Sequence, residues 1–292
     1  MRIAHVSDLH VLDLTGVSWR RFMNKRVSGA VNLLSFRRGA HPAQLLVALV
    51  DHLIAKGYDH VVITGDLSNL ALDAEFARAR RELERLGGPE RVTVIPGNHD
   101  TYTAGSVRER RFQGWFGDWM GTEAAEGFPF VKQVGGVTFL GLNSTYWTLP
   151  FLSYGRVGRA QRELLVERAR DPRLDGTFKV VLLHHNLHRR GRFSEATSRL
   201  RDRDAVARAI ADAGANLVLH GHSHKAHRYH LGDTGGRIPV IGCGSSTWHH
   251  RVHMARYNVY DIGDGALRAI HSHQFDVDSG AFRDEPVPLA VP

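Results

Sequence analysis

Five short polar clusters hold most of the residues able to do chemistry in this 292-residue chain. They are Asp8 with His10, Gly65-Asp66, Gly97-Asn98-His99-Asp100, His184-His185, and Gly221-His222-Ser223-His224. Each alone is weak, because Asp-x-His and His-Ser-His arise readily by chance. Together they offer imidazoles, carboxylates and an amide, the donor types of a metal-ligand cluster. They can act on one ligand only if the chain brings them to one place.

The surrounding pattern supplies that place. Runs that read as strands are Arg2–Val6, His60–Thr64, Arg91–Ile95, Val137–Leu142, Phe178–Leu183 and Asn216–His220. Further ones are Ile238–Gly242, Tyr257–Ile262 and Ala266–His271. Helical spacing appears over Pro42–Lys56, with Leu45, Leu46, Leu49, Leu53 and Ile54 on one face. It recurs over Ala74–Leu86, stopped by Gly87-Gly88-Pro89, and over Arg159–Arg170 and Arg203–Ala213. Alternating strands and helices predict a parallel, layered α/β sheet, and the late strands, without helices between them, predict an antiparallel meander. Ligands of open α/β sheets bind outside the carboxyl ends of the strands. All five clusters stand just after a strand.

The order D-x-H, G-D, G-N-H-D, H and G-H-x-H resembles the calcineurin-like metallophosphoesterase superfamily, with a layout similar to bacterial class III cyclic-nucleotide phosphodiesterases. The resemblance implies an α/β fold, a four-layer α/β/β/α sandwich of two mixed β-sheets flanked by helices. Residues 1–283 would form one domain and 284–292 a C-terminal tail. The resemblance also implies Asp8, His10 and His224 on one metal ion, Asn98, His184 and His222 on a second, and Asp66 bridging both. His185 is the alternative to His184. His99 would protonate or stabilise the leaving oxygen, and Asp100 would orient the His99 imidazole. Two positions depart from the usual pattern: Asn69 replaces an acid, and Asn186 replaces the Pro of His-His-Pro.

A thiolate-free donor set suits two divalent or mixed-valence ions of Mn, Fe or Zn. Two such ions about 3.5–4 Å apart share a water and lower its pKa, giving a bridging hydroxide that attacks phosphorus. The expected activity is hydrolysis of a phosphodiester, a cyclic nucleotide or another small diester. The alternative is a lipid-linked pyrophosphate or phospholipid diester hydrolase at the membrane surface. A nuclease and a non-catalytic metal scaffold stand behind these.

The net charge of +8 is concentrated. Residues 1–40 carry +5, residues 185–204 carry +3, and the remainder balances. Both basic segments leave the edge that holds the clusters, so they are expected to rim the site and attract a phosphorylated small-molecule substrate. Within the first lies an insertion, Val17–Gly39, in which Trp19, Phe22, Met23, Val27, Ala30, Val31 and Leu34 recur at helical spacing. Arg20, Arg21, Lys25 and Arg26 lie between them. It reads either as a packed helix or as a contact with an anionic membrane surface. The chain has no nucleic-acid recognition motif, and its aromatics are not interleaved with the basic runs, which argues against nucleic acid as partner.

The single Cys243 excludes a disulfide framework and a thiolate zinc site. The start MRIAHVSDLH lacks a signal-peptide core, and no apolar run approaches a membrane span. The expectation is a cytoplasmic protein, at most peripheral to the inner face of the membrane. His5 and His60 read as core residues. His188, His227, His249, His250 and His253 read as pocket-lining or solvent-facing, and Gly244–Trp248 as pocket wall.

Overall fold

The computed structural model describes residues 1–18, 41–121, 127–232, 237–250, 252–283 and 286. The Val17–Gly39 insertion lies outside these apart from Val17 and Ser18, and the 284–292 tail apart from Pro286. The described strands form two sheets of six.

The first sheet has the order β12-β11-β10-β1-β2-β3. Its members are β1 (Arg2–Val6), β2 (His60–Ile63), β3 (Val92–Val94), β10 (Arg256–Gly263), β11 (Ala266–Asp276) and β12 (Ala281–Phe282). β1, β2 and β3 are parallel, and β10 runs antiparallel to β1. The second sheet has the order β4-β5-β6-β7-β9-β8. It comprises β4 (Phe130–Val134), β5 (Val137–Gly141), β6 (Phe178–Leu182), β7 (Leu217–His220), β8 (His227–Leu231) and β9 (Ile238–Gly242). β5, β6, β7 and β9 are parallel, with β4 and β8 antiparallel at the two edges.

Alternation along the strands sets the layers. Phe139, Val180 and Leu219 of the second sheet join Ile3, Val62 and Tyr257 of the first in one buried cluster. Their neighbours Leu140, Val181 and Val218 pack the opposite way, onto Leu165 of helix Arg159–Ala169 and Val206 and Ile210 of helix Arg203–Asp212. Helix Ala43–Lys56 buries Leu45, Leu46, Leu49, Val50 and Leu53, and Gly57 closes it in the left-handed region at φ 61°. Helix Asp73–Glu84 buries Phe76, Ala79 and Leu83. The expected architecture, two mixed sheets flanked by helices, is therefore present.

Three details depart from the sequence reading. The late strands are not one meander: β9 is parallel to β7, while β10 to β12 build the antiparallel side of the other sheet. Apolar alternation marks a strand without naming its partner, and the β1–β10 pairing joins opposite ends of the chain. Ile54, placed on the buried face of its helix, is exposed, and Val50 faces inward instead. Strands β4, β8 and β12 were not anticipated, because FVKQV and HRYHL are too polar and AF too short to stand out.

Candidate metal centre

The loops that follow β1, β2, β3, β6 and β7 converge, three from one sheet and two from the other. Backbone bonds lock them together. Asp8 and His10 donate to the Gly65 and Asp66 carbonyls at 3.0 and 2.9 Å, so the first two loops run side by side. Gly221 donates to the His184 carbonyl at 3.1 Å, tying the last two. Across the sheets, Ser246 donates to the Ser7 carbonyl at 2.9 Å.

This crowding forces unusual backbone. Asp8, His10, Asp66, His222 and His224 all have positive φ, between 46° and 67°. Each such non-glycine residue costs on the order of 1–3 kcal/mol, and strain of this kind gathers at functional sites. The glycines here have no room for a side chain. A Cβ on Gly65 would lie 2.6 Å from the Gly97 nitrogen and 2.7 Å from His184 Nδ1, and one on Gly97 would overlap Asp66.

The side chains form two donor groups that share Asp66. In the first, His10 Nε2 faces His224 Nε2 at 3.0 Å, and His224 Nε2 lies 3.4 Å from Asp8 Oδ1. In the second, Asn98 Oδ1 sits 3.1 Å from His184 Nε2 and 2.9 Å from His222 Nδ1. Asp66 Oδ2 stands between the groups, 3.7 Å from His10 Nε2 and 3.5 Å from His184 Nε2. Donor atoms of Asp8, His10, Asp66 and His224 all fall within 4.8 Å of one another.

These contacts test whether cations fit. His184 Nδ1 donates to the Thr64 carbonyl at 2.7 Å and His222 Nε2 to the Ser198 carbonyl at 3.0 Å. In a neutral ring each bond consumes the one N–H, so the nitrogens facing Asn98 Oδ1 carry lone pairs. Lone pairs converging on a carbonyl oxygen beside buried carboxylates repel one another unless a cation lies among them. The field has the matching sign. Burial acts to lower the His184 pKa, yet the Asp66 and Asp8 carboxylates push it up to about 9, so without an ion the ring takes a proton on the nitrogen facing Asn98 and Asp66, the place a bound cation would take over. Burial likewise acts to raise Asp66, but the neighbouring His184 and His99 imidazoles hold it below the ordinary carboxylate range.

His185 is excluded from this geometry. Its Nδ1 meets Ser144 Oγ at 2.8 Å and its Nε2 the Ser153 carbonyl at 2.9 Å, so both ring nitrogens serve the scaffold. Asp100 departs from expectation. It was to orient His99, but its carboxylate accepts from the backbone N–H of Leu67 (3.2 Å), Ser68 (2.8 Å) and Gly97 (2.9 Å), and from Ser68 Oγ (2.8 Å). The partner of His99 Nδ1 is the Asn69 carbonyl at 2.7 Å, and Tyr102 stacks on the ring at 5.5 Å. Main-chain partners of this kind leave no trace in residue types. Burial, followed by the charge of Asp66, pushes the Asp100 carboxyl up to about 7.

Gly244–Trp248, expected as pocket wall, packs against the donor loops and does not line the cavity beside them. Ser245 Oγ donates to the Asp8 carbonyl and Thr247 Oγ1 to the Leu9 carbonyl, both at 2.7 Å, and Trp248 meets His224 edge-on at 5.2 Å. His5 and His60 are buried, as core residues should be, whereas His249 and His250 are exposed. A cavity of about 610 Å³ opens beside His224, lined by His188, Arg189, Arg190, Lys225, His253 and Arg256 among others. Only part of the second basic segment faces it: Arg201 stacks on Tyr154 at 4.3 Å, and Arg203 pairs with Glu195. The sequence reading missed His41, whose ring lies 4.7 Å from that of His10 and whose Nδ1 meets Thr247 Oγ1 at 2.9 Å. Its one signal was a position just ahead of Pro42 at a helix start.

The family model for calcineurin-like phosphoesterases matches residues 1–226. No curated protein matches the chain. Among solved structures, a purple acid phosphatase from yellow lupin seeds superposes with a TM-score of 0.64 at 12% identity, over 97% of this chain. This chain spans about half of that protein, 52% of its length. A dimetal phosphatase from Danio rerio superposes with a TM-score of 0.59 at 12% identity, over 90% of this chain and 92% of its own. At these identities the likeness is one of fold.

Proposed function

The chain belongs to the calcineurin-like phosphoesterase family, and from that premise we propose that it is a two-metal phosphodiesterase acting on a small diester such as a cyclic nucleotide. The observation that carries this reading is Asn98 Oδ1 held between His184 Nε2 and His222 Nδ1, with Asp66 shared between His184 and His10. Asp8, His10 and His224 would hold one ion and Asn98, His184 and His222 the other, with Asp66 between them. When bound, a pair of Mn, Fe or Zn ions polarises phosphoryl oxygens and lowers the pKa of an attacking water.

The chain's own residues do the rest. The Asn69 carbonyl occupies His99 Nδ1, which assigns Nε2 the task of holding a proton against the leaving oxygen. Arg189, Arg190, Lys225 and Arg256 line the cavity next to His224. Their charge favours an anionic ester, and about 610 Å³ leaves room for both substituents of a diester.

The test is hydrolysis of bis(p-nitrophenyl) phosphate and p-nitrophenyl phosphate by Mn²⁺-loaded protein, with Asn98→Ala alongside. Preference for the diester, with turnover falling at least about 100-fold in the variant, is the expected result. Full activity in Asn98→Ala sinks the two-metal reading, and preference for the monoester sinks the diester assignment.

One observation favours a second reading, an amphiphilic diester taken at a membrane surface. Phe151 and Phe193 are 84% and 81% exposed, and helix Arg192–Ser198 buries none of its residues. The Ser153–Thr197 backbone bond joins the two segments, and Ser194 of the same helix lines the cavity. Binding to anionic liposomes, lost in Phe151→Ala with Phe193→Ala, would select this substrate class. No described helix is long and apolar enough to cross a membrane.

A further inference from the structure

A second group of three histidines lies outside the donor groups described above. His188 follows β6, His220 ends β7 and His227 begins β8. One ring nitrogen of each falls within 4.8 Å of the others. The rings are closely set: His188 and His227 have centroids 4.4 Å apart, and His220 and His227 5.1 Å.

Their hydrogen bonding is one-sided. His220 Nδ1 donates to the Gly221 carbonyl at 3.0 Å and His227 Nδ1 to the Lys225 carbonyl at 2.9 Å. Those bonds fix the tautomers and leave Nε2 of both rings as lone pairs. His220 Nε2, His227 Nε2 and His188 Nδ1 are all buried with no hydrogen-bond partner among the described residues. Three buried ring nitrogens left without a partner in one place are costly unless a ligand engages them, and those of His220 and His227 offer lone pairs. Metal-bound histidines commonly donate their other N–H to a backbone carbonyl, as His220 and His227 do.

Two further features agree. A Cβ on Gly242 would lie 2.6 Å from His227 Cε1 and 2.9 Å from His220 Cε1, so a glycine of β9 makes room for the rings. His188 and His227 also line the solvent-open cavity of about 610 Å³, which gives an ion a way in. Burial lowers both pKa values, that of His188 to about 4, so the rings are neutral at pH 7.

We propose that His188, His220 and His227 form a third metal site, a three-imidazole site for Zn²⁺ or a similar borderline cation with its fourth position open toward the cavity. Three imidazoles plus an open position is a recurrent zinc arrangement. The ion would staple the loop after β6, which carries His184, to the loop after β7, which carries His222 and His224. The site stands on its own donors and does not depend on the two-metal reading.

The experiment counts zinc. The full chain is stripped with chelator, dialysed against excess Zn²⁺ and then buffer, and its metal content per chain is measured. The wild type is expected to hold one zinc more than His188→Ala with His227→Ala. A chain carrying Asp8→Ala and Asp66→Ala should still hold zinc, and lose it when His188→Ala and His227→Ala are added. Equal zinc in wild type and the histidine double variant overturns the proposal. If that variant fails to fold, an Asp8→Ala, Asp66→Ala chain that holds no zinc overturns it instead. Failure of the two-metal reading reads differently: the aspartate variant then loses nothing, while the histidine variant still loses one ion.

Discussion

At the scale of single residues, neighbours of the same type do unlike work because their partners differ. His184 and His185 are adjacent and both fully buried, yet one turns Nε2 toward Asn98 and Asp66 and the other spends both nitrogens on Ser144 and Ser153. Asp66 and Asp100 differ in the same way. Asp100 satisfies three backbone amides of the G-D and G-N-H-D loops, so it is a structural anchor. Replacing it should expose that role. Asp100→Ala leaves three buried N–H groups without an acceptor and is expected to cost at least about 3 kcal/mol. Urea denaturation reads this directly. A variant of undiminished stability whose kcat alone falls would return Asp100 to orienting His99.

At the scale of elements, the site depends on loops leaving parallel strands at very close quarters. The left-handed conformation of Asp8, His10, Asp66, His222 and His224 is the local cost of that approach, and the motif glycines permit it. Two glycine substitutions should therefore have opposite signs. Gly97→Ala drives a methyl into Asp66 and is expected to destabilise by about 1–3 kcal/mol while weakening metal binding. Gly114, inside helix Arg111–Phe116, has nothing within 4 Å of an added Cβ. Gly114→Ala should stabilise by about 0.5–1 kcal/mol, the difference in helix propensity. Thermal melts of the two variants check both signs, and a Gly97→Ala protein that melts no lower than wild type would contradict the crowding described here.

At the scale of the whole molecule, the site exists only where the two sheets meet, so whatever holds the sheets together supports it. One such tie is Lys132 on β4. Its ammonium donates to the carbonyls of Pro89 (2.7 Å), Val92 (2.8 Å) and Trp119 (3.1 Å), linking the edge of the second sheet to β3 of the first. Burial lowers its pKa to about 8, against the opposing pull of Glu90 and Asp118; His60, also lowered by burial, is neutral here. Between pH 8 and the ordinary lysine pKa, about 10.4, the unfolded chain binds the proton that the folded chain releases. Stability from this group therefore rises with pH across that window and is flat below it. The stability difference between wild type and Lys132→Met, followed by urea denaturation, should grow in favour of wild type from pH 8 to 10.5. A difference that shrinks would mean the lysine stays fully charged in the fold.

Much of this was legible in the amino-acid order. Strand ends are marked by where apolar runs stop, and Asp8, His10, Asp66, Asn98, His184, His222 and His224 stand at those ends, so the sequence by itself determined which donors reach one edge and from which loops. Periodicity likewise determined the four main helices. Partnership is different, because it depends on residues far apart in the chain meeting through main-chain atoms. Only the tertiary structure decided that Asp100 braces loops, that Asn69 holds His99, and that β9 lies parallel to β7. It alone brought His41 beside His10, and His188 beside His220 and His227. A residue's type states what it can donate or accept. Which atom lies opposite is settled when two sheets close on one another.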